Sequence, residues 1–463
     1  MAAIPFLVFG PTTILSVIGL LRGKEKVVPT PTEDWRTATV DVVIPALNEE
    51  QTIVLCLESI AKQTIVPKRI ILVDDGSVDR TIELATQFSK ENGFELIVIK
   101  RAHPIGKTPT LKRQSREFDS DVEFILDADT ILESDNYIER VVQELFQGAG
   151  IASACGTVLP LDTKSRLKAI QDPRVAKFIT THEVSCVYFQ NGLLDKFEHL
   201  ITDWYREMLY FYLQKFVYLG QMTFFGGVFN PVGCAVAYRR NILKEVVFDK
   251  YEPILGDHLT NSEDIFIGFT FLNHGYRNIQ VMDVYARSQE PPVLRLPRQQ
   301  YLWSSAFLQS CFYFKGLVAT PFKVINQYRK SRFLRSPQGK KTLENRKIVE
   351  AYRQSFGTEV TKKYGRPIGW MIFFAMLEKI TFPVILITMM VMRLWEPLLI
   401  TIALESMLTI LILVYLAKDR RLEYFLKGLV TTPIRYGLVF FDVITVTRFI
   451  SDLFIFRNRN WRK

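Results

Sequence analysis

Four apolar runs in the first third of the chain each stop abruptly at a polar turn. They are Val42-Val43-Ile44-Pro45-Ala46-Leu47-Asn48-Glu49-Glu50, Ile70-Ile71-Leu72-Val73-Asp74-Asp75-Gly76-Ser77, Phe94 to Ile99 leading to Gly106-Lys107, and Phe124-Ile125-Leu126-Asp127-Ala128-Asp129-Thr130. Helical stretches separate them. Strands alternating with helices predict a parallel α/β sheet. Ligands of such sheets bind beyond the carboxyl ends of the strands, where each of these turns falls.

Asp127 and Asp129 are the sharpest of these signals. If the run continues as a strand, side chains two residues apart share a face. Carboxylates so placed repel, and either one takes up a proton or both share a cation. A hard divalent ion suits them, because it accepts one or two carboxylates and completes its shell with phosphate oxygens and water. Alone, the same spacing also suits a surface turn after a buried strand. Further along, Ser262-Glu263-Asp264 reads both as a capped helix start and as a rigid mount for a base.

These motifs resemble the inverting, nucleotide-sugar-dependent glycosyltransferases of GT-A fold. They are most similar to the membrane-bound family 2 polysaccharide synthases that make hyaluronan, chitin, cellulose and poly-N-acetylglucosamine. The matching residues are Pro45-Ala-Leu-Asn48-Glu49, Asp74-Asp75-Gly76-Ser77, Gly106-Lys107, Asp127-Ala-Asp129 and Glu263-Asp264. The resemblance implies a Rossmann-like catalytic domain with a mixed, mostly parallel sheet. It implies nucleotide-sugar contacts from Pro45, Asn48, Glu49, Asp74, Asp75, Lys107 and Asp127. A Mg²⁺ or Mn²⁺ ion would sit on Asp129 with Asp127, and Asp264, beside Glu263, would be the catalytic base. The segment from Phe229 to Arg240, with Gly233 and Cys234, resembles the acceptor-lining part of the synthases; it reads equally well as a buried strand with a turn.

One motif departs from the pattern. The synthases carry Gln-x-x-Arg-Trp, whereas this chain has Gln299-Gln300-Tyr301-Leu302-Trp303. Gln299 and Trp303 are the expected acceptor contacts. Leu302 cannot donate to a phosphate, so Arg298 is the expected substitute. Trp303 also suits an amphipathic helix at a membrane surface.

Hydrophobic residues make up 48% of the chain and charged residues 23%, too polar for a protein wholly within a bilayer. Ile4 to Leu21 is apolar and of spanning length, and Arg22, Lys24 and Lys26 follow, which orients the next domain to the cytosol. The expected layout is a membrane helix in residues 1–22, a cytosolic GT-A domain in 36–288, and amphipathic interface helices with a basic loop in 289–366. Transmembrane or interfacial helices would follow in 367–456, then a basic cytosolic tail in 457–463. Within 428–456, Arg435, Asp442, Arg448 and Asp452 are costly at mid-bilayer and predict a helix lining protein, a water-filled cavity or the interface. The basic run after Tyr328 fits anionic headgroups better than nucleic acid, and no nucleic-acid partner is expected. Five unpaired cysteines and five scattered histidines offer neither a disulfide framework nor a zinc site.

The sequence therefore predicts a multi-pass protein of the cell membrane. It would move a hexose or N-acetylhexosamine from a UDP-sugar to a growing β-linked polysaccharide, with membrane lipids as further partners. Two alternatives stand beside it: a non-processive transferase with a lipid acceptor, and an inactive scaffold.

Overall fold

The computed structural model describes residues 10–22, 33–148, 150–186, 192–255, 262–329 and 357–456. Its centre is one sheet of eight strands: β1 Val40–Ala46, β2 Arg69–Asp74, β3 Ile97–Lys100, β4 Val122–Leu126, β5 Thr130–Leu132, β6 Ile151–Pro160, β7 Ala235–Arg239 and β8 Arg277–Ser288. Their spatial order is β3-β2-β1-β4-β7-β6-β8-β5. The β3-β2-β1-β4 half is wholly parallel. Beyond it β7 runs antiparallel to both β4 and β6, while β6 and β8 are parallel. This is the mixed, mostly parallel α/β sheet of GT-A type that the sequence implied.

The strands of the parallel half are nearly continuous apolar runs because helices cover both faces. On one face Ile53, Val54, Leu57 and Phe88 pack with Val42, Ile44 and Phe124; on the other Val43, Ile71 and Ile125 meet Leu111, Phe266 and Phe269. The helices named below are α1 Pro11–Arg22, α2 Ile53–Ala61, α3 Thr81–Glu91, α4 Lys107–Glu117, α5 Tyr137–Phe146, α6 Leu193–Tyr212, α7 Glu263–His274, α8 Leu296–Tyr313, α9 Gly369–Val391, α10 Trp395–Leu416 and α11 Arg421–Ile450.

By length and composition, α9 and α10 could each cross a membrane. Both leave large apolar side chains exposed, among them Val391, Leu399, Met407 and Leu411. The 12-residue α1 is shorter than the span expected from Ile4 to Leu21, part of which lies outside the described residues. Its Gly19 packs so tightly on Gly220 that a Cβ there would stand 2.4 Å from the Gly220 carbonyl oxygen. The charges of the last helix do not face outward alone. Arg435 reaches the Glu405 carboxylate of α10 through two hydrogen bonds of 2.6 and 2.5 Å, and Asp442 pairs with Lys379 of α9 at 3.0 Å. Most of the basic run after Tyr328 and the tail after Phe456 lie outside the described residues.

Candidate active site

The turns after β1 and β2 are bound to each other. Asn48 adopts a left-handed backbone, φ 58°, which asparagine tolerates better than most residues. Its N–H donates to Ser77 Oγ at 2.9 Å and its Oδ1 accepts from Val78 N–H at 2.9 Å. Glu49 N–H donates to Thr81 Oγ1 at 2.7 Å. Asp74 turns back onto Gly76 and Ser77 N–H, at 3.3 and 3.2 Å, and Gly76 supplies the positive φ the turn needs. Asp75 accepts from Arg101, Ile105 N–H and Gly106 N–H at 2.8 to 3.0 Å. Both aspartates thus shape these turns through the protein's own donors.

Asp127 and Asp129 stand in the link between β4 and β5, where Thr130 N–H closes a turn onto Asp127 O at 2.9 Å. Leaving the strand sends the two carboxylates to different partners. Asp127 meets Lys107 Nζ at 2.6 Å, and Asp129 accepts from Thr130 Oγ1 at 3.0 Å and Ser288 Oγ at 3.4 Å. Burial, then Asp127, pushes Asp129 up to about 6. Burial, then Asp129, pushes Glu49 up to about 8. Repulsion among carboxylates in neighbouring turns is what a cation relieves, and hard oxygen donors fit Mg²⁺ or Mn²⁺. Among the described residues no three His, Cys, Asp or Glu side chains converge as a complete cation site. Asp129 and Asp127 would hold such an ion, with the remaining ligands coming from substrate and water.

Lys107 joins this pair to the second acidic motif. Its Nζ also lies 3.2 Å from Glu263 Oε1 and donates to Gly233 O at 3.0 Å. Burial pulls its pKa down, but Asp127, Glu263 and Asp264 outweigh that and hold it above the usual lysine range. Asp264 lies in the first turn of α7 and accepts from Ile265 N–H at 2.9 Å and Gly233 N–H at 3.2 Å. Ser262 makes no side-chain cap bond there. Burial first, then Glu263, raises Asp264 to about 7, suited to a proton acceptor at neutral pH. A Cβ at Gly233 would stand 2.8 Å from Asp264 Cβ, so only glycine admits this approach. Cys234 O accepts Asp127 N–H at 2.9 Å, tying the expected acceptor segment to the Asp-x-Asp turn.

Gln299 and Trp303 lie on α8, yet their near partner is one the sequence did not flag. Arg206 of α6 donates to Gln299 Oε1, and its guanidinium lies 4.6 Å from the Trp303 ring centre. Its Nε stands 3.3 Å from Glu290 Oε2. Arg298 is exposed. Arg206 is a lone cation among Trp204, Tyr205, Leu209 and Tyr210, and that apolar company was its single signal in sequence.

Residues 41–247 match the family model described as Glycosyl transferase family 2. That stretch is similar to the glycosyltransferases of family 2. Two curated relatives align with part of the chain. An undecaprenyl-phosphate 4-deoxy-4-formamido-L-arabinose transferase of Pectobacterium carotovorum is 33% identical over 122 residues, 26% of this chain and 36% of its own. An O-antigen chain rhamnosyltransferase of Salmonella typhimurium is 31% identical over 121 residues, 26% of this chain and 37% of its own. The chain thus spans little more than a third of these relatives' length. Among solved structures, a mannosyltransferase from Pyrobaculum calidifontis in complex with GDP-Man and Mn²⁺ aligns over 91% of this chain and 97% of its own, with 15% identity and a TM-score of 0.44. Glucosyl-3-phosphoglycerate synthase from Mycobacterium tuberculosis aligns over 60% and 79%, with 19% identity and a TM-score of 0.37.

Proposed function

We propose that this domain transfers a hexose or N-acetylhexosamine from a nucleoside diphosphate sugar, UDP-linked by the sequence reading, to an acceptor hydroxyl with inversion. The carrying observation is Asp264, held by Gly233 N–H and raised to about 7 beside the Lys107–Asp127 pair. In this reading Asp264 takes the acceptor hydroxyl's proton as the oxygen attacks the anomeric carbon, and the bond to the diphosphate breaks. One in-line displacement converts an α-linked donor into a β-linked product. Lys107 keeps Asp127 and Glu263 in place around that path. A divalent ion bound at Asp129 and Asp127 would neutralise charge on the departing diphosphate. Asn48, Glu49, Asp74 and Asp75 frame the nucleoside side, while Gly233, Cys234, Gln299 and Trp303 frame the acceptor side.

The acceptor in our reading is glycan or lipid at the cytosolic face of a membrane, approached beside α9 and α10. The sequence favours a growing polysaccharide. The undecaprenyl-phosphate relative supports a second reading, in which one sugar is placed on a phosphorylated lipid. The test is to incubate purified protein with UDP- and GDP-sugars, Mn²⁺ or Mg²⁺, and glycan or polyprenyl phosphate acceptors. Nucleotide release, anomeric configuration and product length are then measured. A β-linked product from an α-linked donor is expected; retention of configuration, or no release with any donor, rules the proposal out. One added sugar selects the lipid reading and a ladder of products selects the polymer.

A further inference from the structure

Arg206 is completely buried on α6, and its guanidinium is a charged fork of N–H donors. A buried charge is expensive unless its donors are answered, and here they are answered incompletely. Nη2 donates to Gln299, whereas Nε faces Glu290 Oε2 at 3.3 Å without hydrogen-bond alignment and Nη1 has no hydrogen-bond partner among the described residues. The plane of the fork is nonetheless fixed. The Trp303 ring centre lies 4.6 Å away and the Tyr210 ring centre 5.9 Å away, so aromatic faces hold the cation in one orientation. A preset guanidinium with an unanswered N–H is arranged for an oxyanion that arrives later.

Its position supports the same conclusion. Glu290 follows Gln289, whose N–H donates to Asp129 O at 3.1 Å, and Ser288, whose hydroxyl reaches the Asp129 carboxylate. Arg206 therefore shares a wall with the Asp-x-Asp turn. Among the described residues the other cations near that turn are engaged, Lys107 with Asp127 and Glu263, Arg101 with Asp75, Arg166 with Gln289. On α8 the position before Trp303 is Leu302, which offers no charge.

We propose that Arg206 is a phosphate-binding residue of the transfer site, its Nη1 receiving an oxygen of the donor diphosphate or of a phosphorylated lipid acceptor. The proposal rests on the glycosyltransferase reading. Arg206→Lys keeps the charge and loses the planar fork. Its affinity for UDP and GDP with Mn²⁺ is measured by calorimetry, and its kcat and KM with polyprenyl phosphate by initial rates. Loss of a charge-assisted bond should weaken the phosphate partner about 10- to 100-fold. Weakened nucleotide binding assigns the donor diphosphate; a raised acceptor KM with nucleotide affinity intact assigns the lipid phosphate. If both stay unchanged while the melting temperature falls, Arg206 is a packing residue and the proposal is overturned. Should Arg206→Lys fail to fold, Glu290→Gln frees the guanidinium and is expected to tighten phosphate binding; unchanged affinity overturns the proposal equally. A wild-type protein that binds no nucleotide refutes the transferase reading instead.

Discussion

Lys107 occupies the first turn of α4, where the helix dipole disfavours a cation. It stays there because Asp127 and Glu263 close on its ammonium, and this triad sets the charge around Asp264. Asp264→Asn preserves size and the Gly233 contact but accepts no proton. Turnover should fall about 10²- to 10⁴-fold while calorimetric affinity for donor nucleotide persists. As the proposed base Asp264 would work only when ionised, so kcat/KM should decline about tenfold per pH unit as pH drops below about 7. A pH–rate profile that is flat from pH 5 to 8 would exclude Asp264 as the base. Gly233→Ala places a methyl against Asp264; it should destabilise by about 1–3 kcal/mol and depress turnover more than donor binding, as denaturation and steady-state rates would show. Asp127, Asp129, Glu263 and Asp264 were legible because acids at element ends are conspicuous. Arg206 was not, since one arginine on an aromatic helix has no spacing to betray it. Asp74 and Asp75 were legible as candidates, but their use of backbone N–H partners depends on how two distant turns fold back, which composition does not reveal.

The turns after β1 and β4 gather acids that prefer their neutral form. Glu49 rises to about 8 and Asp129 to about 6, against roughly 4 for such groups in an unfolded chain. Between about pH 4 and pH 8 the folded state therefore binds more protons than the unfolded one, and stability must fall as pH rises through that window. Thermal melts without added cation should show this decline. Mn²⁺ should reverse it at the alkaline end, and Asp129→Asn should weaken both effects; equal melting temperatures with and without Mn²⁺ at pH 8 would contradict the cation assignment. The parallel half of the sheet was readable because apolar runs with polar ends alternate with helices. Its antiparallel half was not: β7 shares its short apolar pattern with a buried turn, and its insertion between β4 and β6 is decided by long-range pairing.

Across the whole molecule, α8, which carries Gln299 and Trp303, is tied to the apolar helices. Gln300 donates to Asp442 Oδ2 at 3.0 Å and Ser304 to Asp442 Oδ1 at 2.6 Å, while Lys379 of α9 neutralises the same carboxylate. The sequence marked Asp442 only as a charge too costly for lipid. Its three partners come from two other helices, which no local pattern predicts. Asp442→Ala would leave Lys379 without its counter-ion and α8 without two anchors. We expect a loss of about 3–5 kcal/mol, read as a lower melting temperature in detergent, together with a raised acceptor KM and little change in donor affinity. A fragment cut before Gly369 would keep every strand and every acid of the site. It would still loosen the rod on which Trp303 is mounted, because Asp442, which pins Gln300 and Ser304, belongs to the portion removed, even though Phe307 and Leu308 stay packed with α7. In the proposed reading, expression of the sheet alone would yield a domain able to grip a nucleotide but unable to aim it.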